Sequence, residues 1–147
     1  MDNSIQFRLV DVHEILNLRA TELRSGKPID SARFSGDNLS TTLHFGGFIE
    51  NQLICCLTLL KQMESEIPTW QLRGMATARS WQRKGVGRSL LHFAENYLKK
   101  RYPQVKIWCN AREIAVPFYI DMGYQIVSEP FMIEGIGIHH KMEKTYL

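Results

Sequence analysis

The stretch Met75-Ala76-Thr77-Ala78-Arg79-Ser80-Trp81-Gln82-Arg83-Lys84-Gly85-Val86-Gly87-Arg88 decides the fold. A strand ends, a glycine-containing turn follows, and a helix begins. From Gly85 to about Tyr102, the residues Val86, Leu90, Leu91, Phe93, Ala94, Tyr97 and Leu98 recur at helical spacing, with Arg88, Ser89, Glu95, Lys99 and Lys100 between them. A short strand, Gln104 to Cys109, comes next, so strand, helix and strand form a βαβ unit. Gly85 and Gly87 sit where backbone N–H groups are exposed at a helix N-terminus, and without Cβ atoms they let a bulky anion approach. Arg79, Arg83, Lys84 and Arg88 gather around them and complement a pyrophosphate. An ordinary solvated turn is the alternative for a lone G-x-G.

Other phosphate motifs fit poorly. A Walker A loop needs Gly-Lys followed by Ser or Thr, whereas Lys84 precedes the glycine here. A dinucleotide fingerprint needs a third glycine and an acid about 20 residues on; Arg88 and Leu90 lie near the first position and Arg101 in the second window.

Outward from this stretch, the run IQFRLV reads as a strand, and Val12, Ile15, Leu16, Leu18 and Leu23 give a helix. Residues 25–40 are rich in Gly, Pro, Ser and Asp and predict a long loop, a candidate lid or substrate wall. TTLHFGGFIE and QLICCLTLLKQ flank the turn-prone Glu50-Asn51 as a hairpin, and TWQLRGMATA adds a third strand. A helix is expected over Ile114 to Met122, with Pro117 in its first turn and Gly123 as its left-handed cap. YQIVSEPFMIE and GIGIHHKMEKTYL close the chain as two strands. The sum is an α/β (α+β) domain over residues 1–147, a mixed central sheet of about seven strands flanked by helices.

Composition bounds the class. At 147 residues, 44% hydrophobic and 22% charged, the chain is globular in composition and sized for one core. No apolar run approaches the ~20 residues that cross a bilayer, and the N-terminus lacks a secretory pattern, so no membrane partner and a cytoplasmic address are expected. A net charge of +3 is too mild for a whole-surface nucleic-acid binder, and no nucleic-acid partner is expected. Cys55, Cys56 and Cys109 lack ligand spacing and read as buried free thiols, and no metal site is indicated.

Gln82-Arg83-Lys84-Gly85-Val86-Gly87 resembles the Q/R-x-x-G-x-G/A signature of the GNAT acyltransferase superfamily, in which that loop surrounds the pyrophosphate of acetyl-CoA. Asn110 to Tyr119, followed by Met122-Gly123-Tyr124, is similar to the superfamily's second cofactor segment. The tail from Phe131 to Gly137, with His139 and Met142, resembles small bacterial members, and together these segments cover about residues 70–142. The resemblance implies a GNAT-like fold and acetyl-CoA as co-substrate, with the pantetheine arm pairing along a bulged strand at Met75, Ala76 and Thr77. It assigns cofactor contacts to Gln82, Arg83, Lys84, Gly85, Val86, Gly87, Arg88 and Phe118, with Asn110 or Arg112 reaching the arm. Tyr119 matches the residue that protonates the departing thiolate; an aromatic in the core is the alternative.

Glu50, Glu134 and His139 are candidate bases for the amine proton, with ordered water a fourth. The acceptor pocket is expected from the early helix, the 25–40 loop and the last hairpin, with Arg19, Arg24, Arg33, Asp37 and His44 as polar positions; arginines there suit a carboxylate or phosphate. The resulting reading is transfer of an acetyl group from acetyl-CoA to an amine of a small molecule or peptide. A non-catalytic acyl-CoA-binding regulatory or scaffold protein is the competing one. Substrate choice then rests on the domain's own loops or on a second copy of the chain, as in a homodimer.

Overall fold

Pairing of β-strands around one interrupted parallel contact organises the molecule. The computed structural model describes residues 4–62 and 66–146. Its elements are β1 (Gln6–Val10), α1 (Val12–Leu23), β2 (Leu43–Ile49), β3 (Gln52–Gln62), β4 (Thr69–Thr77), α2 (Val86–Lys99), β5 (Val105–Arg112), α3 (Val116–Asp121), β6 (Gln125–Ile126), β7 (Phe131–Ile133) and β8 (Gly137–Tyr146). Single 3-10 turns occupy Ile29–Ala32, Arg79–Trp81 and Glu113–Ala115. The sheet has eight strands in the order β1-β2-β3-β4-β5-β8-β6, with β7 also on β8. The β4–β5 contact is parallel and the other pairings are antiparallel. Residues 1–3, where the expectation of no secretory leader begins, and Leu147 of the expected last strand lie outside the described residues.

Local chemistry accounts for these elements. Glu50 and Asn51 take φ of 49° and 67°, the two left-handed residues that a tight two-residue hairpin requires. Adjacent Cys55 and Cys56 alternate across the pleat: Cys55 joins the core beneath α2, and Cys56 the smaller core beneath α1. Burial pushes all three thiols up to about 12, so each stays protonated and inert. Pro117 lies in the first turn of α3.

Several boundaries differ from the sequence pattern, among them that of α3, which begins at Val116 after the Glu113–Ala115 3-10 turn rather than at Ile114. α2 ends at Lys99, where Arg101 and Tyr102 N–H both turn back to Leu98 O. β5 continues to Arg112 because β8 supplies partners as far as His139. The strand expected from Tyr124 to Glu134 divides into β6 and β7, which gives one strand more than the pattern suggests. At the break Lys141 N–H donates to Ser128 Oγ at 2.9 Å in place of a ladder carbonyl, and Pro130 has no N–H to offer.

The defining feature lies in β4. Cys56 pairs with Ala76 and Thr58 with Arg73, so β4 carries one residue more than β3 between these points. Gly74 sits in this bulge at φ +63°, and a Cβ there would lie 2.8 Å from Arg19 Nε. β4 meets β5 only from Thr69 to Gln71, after which the two strands diverge.

Beneath the bulge, Arg19 is fully buried, contrary to the expectation that it faces a substrate. Its Nη1 donates to Asp37 Oδ2 at 2.7 Å and to Ala32 O at 2.9 Å, and its Nη2 to Thr58 Oγ1 at 2.7 Å. Thr58 Oγ1 lies 2.7 Å from His44 Nδ1, and His44 Nε2 lies 3.0 Å from Asp37 O. A carbonyl accepts only, so Nε2 carries the proton and Nδ1 accepts from the Thr58 hydroxyl. Asp37 is therefore bonded to Arg19 directly and His44 to the same cluster through Thr58 and Asp37 O, so both hold the fold here, and the exposed Arg33 pairs with Asp30.

Removing one partner of a buried ion pair leaves the other uncompensated. Arg19→Met should lower unfolding free energy by about 3–5 kcal/mol in urea denaturation. Acid should act on the same cluster in two stages. Burial, reinforced by Arg19 and Arg73, depresses the His44 pKa below its ordinary 6.5 against the pull of Asp37. The unfolded chain therefore takes up that proton first, and stability falls as pH drops below 6.5. Burial alone would raise the Asp37 carboxyl, but bonds from Arg19 and the Phe34 N–H with the charges of Arg19 and Arg73 outweigh it, so a further loss begins below 3.8. His44→Gln should abolish the first stage and retain the second.

Candidate active site

Divergence of β4 from β5 opens the sheet, and two clefts meet there. The first, about 640 Å³, is lined along β4 by Met75 and Thr77, along the turn and α2 by Gln82, Arg83, Gly85, Val86, Gly87 and Arg88, and on α3 by Phe118 and Tyr119. The second, about 340 Å³, lies on the other side, between Leu23–Arg24 and Phe34, the Arg73–Met75 segment, Asn110–Arg112, and Ile133, Ile136 and His139. Met75, Ala115 and Tyr119 line both. A molecule in one cleft therefore meets a molecule in the other at these residues.

The first cleft has room and donors for an anion and an extended arm. Arg83 takes φ +62° and Gly85 φ +80°, a turn that aims backbone N–H groups outward at the start of α2. No side chain caps that helix, so its first N–H groups keep their capacity for a ligand. A Cβ on Gly85 would meet nothing within 4 Å, and one on Gly87 would lie 3.1 Å from Met75 Cε and 3.6 Å from Thr77 Oγ1, inside the groove. The β4 edge beyond Gln71 has no β5 partner to occupy it, so its main chain can pair with a bound chain.

Most sequence-selected residues converge, and some do not. Lys84 lines neither cleft and lies over the Trp81 ring at 5.3 Å. The Ala76 side chain is buried against α1. Gln82 lines the first cleft and also holds the turn: its Nε2 donates to Thr77 O at 3.0 Å and Glu22 Oε1 at 3.2 Å. Asn110 and Arg112 line the second cleft instead of the first. Of the candidate bases, Glu50 sits exposed at a hairpin tip and Glu134 on the exposed β7–β8 turn, outside both linings. His139 lines the second cleft, 5% exposed and stacked on Phe131.

His139 Nδ1 lies 2.8 Å from Gly137 O, so Nδ1 carries a proton and, in the neutral ring, Nε2 carries the lone pair. Tyr119 Oη lies 3.8 Å from Met75 Sδ. Burial, then the neighbouring Cys109, push its phenol far above the ordinary value, so it holds its proton at neutral pH. Arg73, Gln71 and Phe34 in the second cleft escaped the sequence reading. The alternation of Trp70 and Leu72 toward α2 was the available signal for Gln71 and Arg73 on the opposite face.

The acetyltransferase (GNAT) domain family matches residues 30–146. The chain belongs to the GNAT acetyltransferase family. It is 30% identical over 144 residues to the uncharacterized N-acetyltransferase YitI of Bacillus subtilis strain 168, covering 96% of each chain. Among solved structures, the GNAT chain superposes on Escherichia coli ElaA with a TM-score of 0.82 at 16% identity, over 96% of this chain and 99% of that one. It superposes on a GNAT family acetyltransferase from Elizabethkingia anophelis with acetyl-CoA bound at a TM-score of 0.64 and 20% identity, covering 99% and 98%. Both likenesses concern the fold. The first cleft has the features that the co-substrate of a GNAT enzyme requires: a glycine turn and helix start for its phosphates, and a free strand edge for its arm. Among the described residues no helix is long and apolar enough to cross a membrane.

Filling the glycine turn should block this cleft. Gly85→Val places a branched side chain where only open groove lies and forces a left-handed β-branched residue. Isothermal titration should show at least a tenfold weaker Kd for CoA, about 1.4 kcal/mol, with the folded CD spectrum retained.

Proposed function

We propose that the chain is an N-acyltransferase that moves an acetyl group from acetyl-CoA directly to an amine of a small molecule or peptide. The meeting of the two clefts at Met75 and Tyr119 carries this reading. Direct transfer needs both reactants at one point, and a shared wall supplies that proximity without a covalent enzyme intermediate. Acetyl-CoA contributes the acyl group as a thioester, activated toward attack by an amine.

The chain's own groups then divide the work. Main-chain N–H groups of the splayed β4 near Met75 are donors where negative charge grows on the acyl oxygen. His139 Nε2 accepts the amine proton, its ring held in one tautomer by Gly137 O and in one plane by Phe131. Tyr119 keeps its proton at the junction. With its pKa raised by burial, the phenol acts on the departing sulfur chiefly as a hydrogen-bond donor, because full transfer to a thiol of pKa about 8.5 runs uphill. The buried cysteines take no part: their thiols are too weakly acidic to serve as nucleophiles near neutral pH.

Free CoA thiol measured across an amine panel tests the reading. His139→Gln should lower kcat/KM by about 10²–10⁴-fold. Tyr119→Phe should lower kcat about tenfold or more, near the loss of one hydrogen bond to a charged group, with the KM for acetyl-CoA preserved. Unchanged turnover in Tyr119→Phe removes that residue from the mechanism. Tight CoA binding with no thiol released from any amine would instead make the chain a non-catalytic acyl-CoA-binding protein.

A further inference from the structure

The acceptor cleft carries one sign of charge. Its ionisable lining consists of Arg24, Arg73, Arg112, Cys109, Tyr119 and His139, with no carboxylate among them. Asp37 lies behind the wall with its side chain 4% exposed and is shared between Arg19 and Arg73, so two guanidiniums there have one counter-charge. Arg73 also donates to Ser35 O. Burial lowers the Arg73 pKa from its ordinary value, Asp37 opposes that shift, and Arg19 adds to it.

The other two arginines have donors to spare. Arg24 uses Nε on Ser31 O at 3.3 Å, and among the described residues its terminal nitrogens make no hydrogen bond. Arg112 forms no ion pair among the described residues; the neighbouring Glu113 has its Oε1 3.7 Å from His140 Nε2. The Phe34 ring gathers the arginines of the outer wall, with the guanidinium carbons of Arg24 and Arg73 at 5.1 and 5.8 Å from its centroid. This orders two planar cationic forks on the α1, loop and β4 part of the lining, while Arg112 and His139, register partners on β5 and β8, contribute to the rest.

We infer that the acceptor is an amine that also bears an anionic group, a carboxylate or a phosphate, and that Arg24, Arg73 and Arg112 select it by binding that group while the amine lies toward His139. The inference rests on the acetyl-transfer reading for its amine. A cleft meant for polyamines would place carboxylates on its walls, and here a polycation would meet guanidiniums instead. Glu134, the acid beside Ile133 at the lip, lies exposed and outside the lining.

Matched amines test this with the full chain. Phenylalanine against phenethylamine varies a carboxylate, O-phosphoethanolamine against ethanolamine varies a phosphate, and spermidine is the polycation. The anion-bearing member of at least one pair should have kcat/KM at least tenfold higher, expressed mainly in KM, and the responding pair identifies the anion. Arg112→Gln and Arg24→Gln should each cut that advantage severalfold, and Arg24→Lys should restore part of it. Arg112 is exposed, so its variant remains informative if Arg24→Gln folds poorly. Equal use of both members of both pairs, or preference for spermidine, overturns the inference and leaves acetyl transfer standing. If the anion-bearing amine raises the Tm of the CoA-bound protein well beyond its neutral partner yet no thiol is released, the anion site stands and acetyl transfer falls.

Discussion

The extra residue in β4 is the constraint on which the rest of the structure depends. Parallel strands pair only while their registers advance together, and the bulge at Gly74 turns β4 away from β5 after Gln71. Without it the sheet would close, the Met75–Thr77 main chain would be consumed by ladder bonds, and neither cleft would exist. The left-handed backbone at Gly74 and the Arg19 guanidinium packed where a Cβ would stand make the bulge a fixed feature rather than a slip of register.

The ion cluster that supports the bulge also carries one wall of the second cleft. Arg19 reaches from α1 to Thr58 on β3, to Ala32 O, and to Asp37 in the loop before β2. Asp37 in turn accepts from the Phe34 N–H at 2.8 Å and pairs with Arg73 at 3.4 Å. A buried ion pair contributes little net stability over well-packed apolar residues, because desolvation offsets most of the attraction. Its effect here is positional. One cluster sets where the strand edge turns and where Phe34 and Arg73 stand, so the two clefts are held in register by the same bonds.

Much of this was legible in the sequence, and the misses have identifiable physical reasons. The turn at Gly85 and Gly87, the hairpin at Glu50-Asn51 and the helix from Val86 declare themselves through local spacing, because each is decided by near neighbours in the chain. Arg19 was read as polar by type, yet it stands three residues after Leu16 and four after Ile15, on the buried face of α1. Residue spacing gave its face; only the distant Asp37 and Thr58 explain how a charge can lie there. The bulge left a fainter trace. Leu72 packs toward α2 and Ala76 toward α1, although residues four apart in a regular strand share a face. The phase reversal across Gly74 marks the inserted residue. The β6–β7 break was hidden differently, since Ser128 replaces a backbone partner with its own hydroxyl and no pattern of hydrophobicity records that.

Charge placement joins the site's parts into one argument. The cations divide into a set facing the first cleft, Arg83 and Arg88, and a set facing the second, Arg24, Arg73 and Arg112. Arg83 and Arg88 are taken up by the co-substrate's phosphates, whereas in the second cleft Asp37 and the acceptor's own anion together offset fewer charges than the guanidiniums there supply, so an ammonium in that cleft faces uncompensated positive charge. Like charges in a partly desolvated cleft raise the free energy of the ammonium relative to the free amine. The neutral amine, the only nucleophilic form, is favoured before any base acts. His139 then has a less basic amine to deprotonate, which suits an imidazole better than an unperturbed alkylamine would. The same potential favours the negative charge that grows on the acyl oxygen and on the departing sulfur. The proposed selection of an anionic acceptor and the preparation of its amine would thus rest on one distribution of arginines around an opening that a single inserted residue creates.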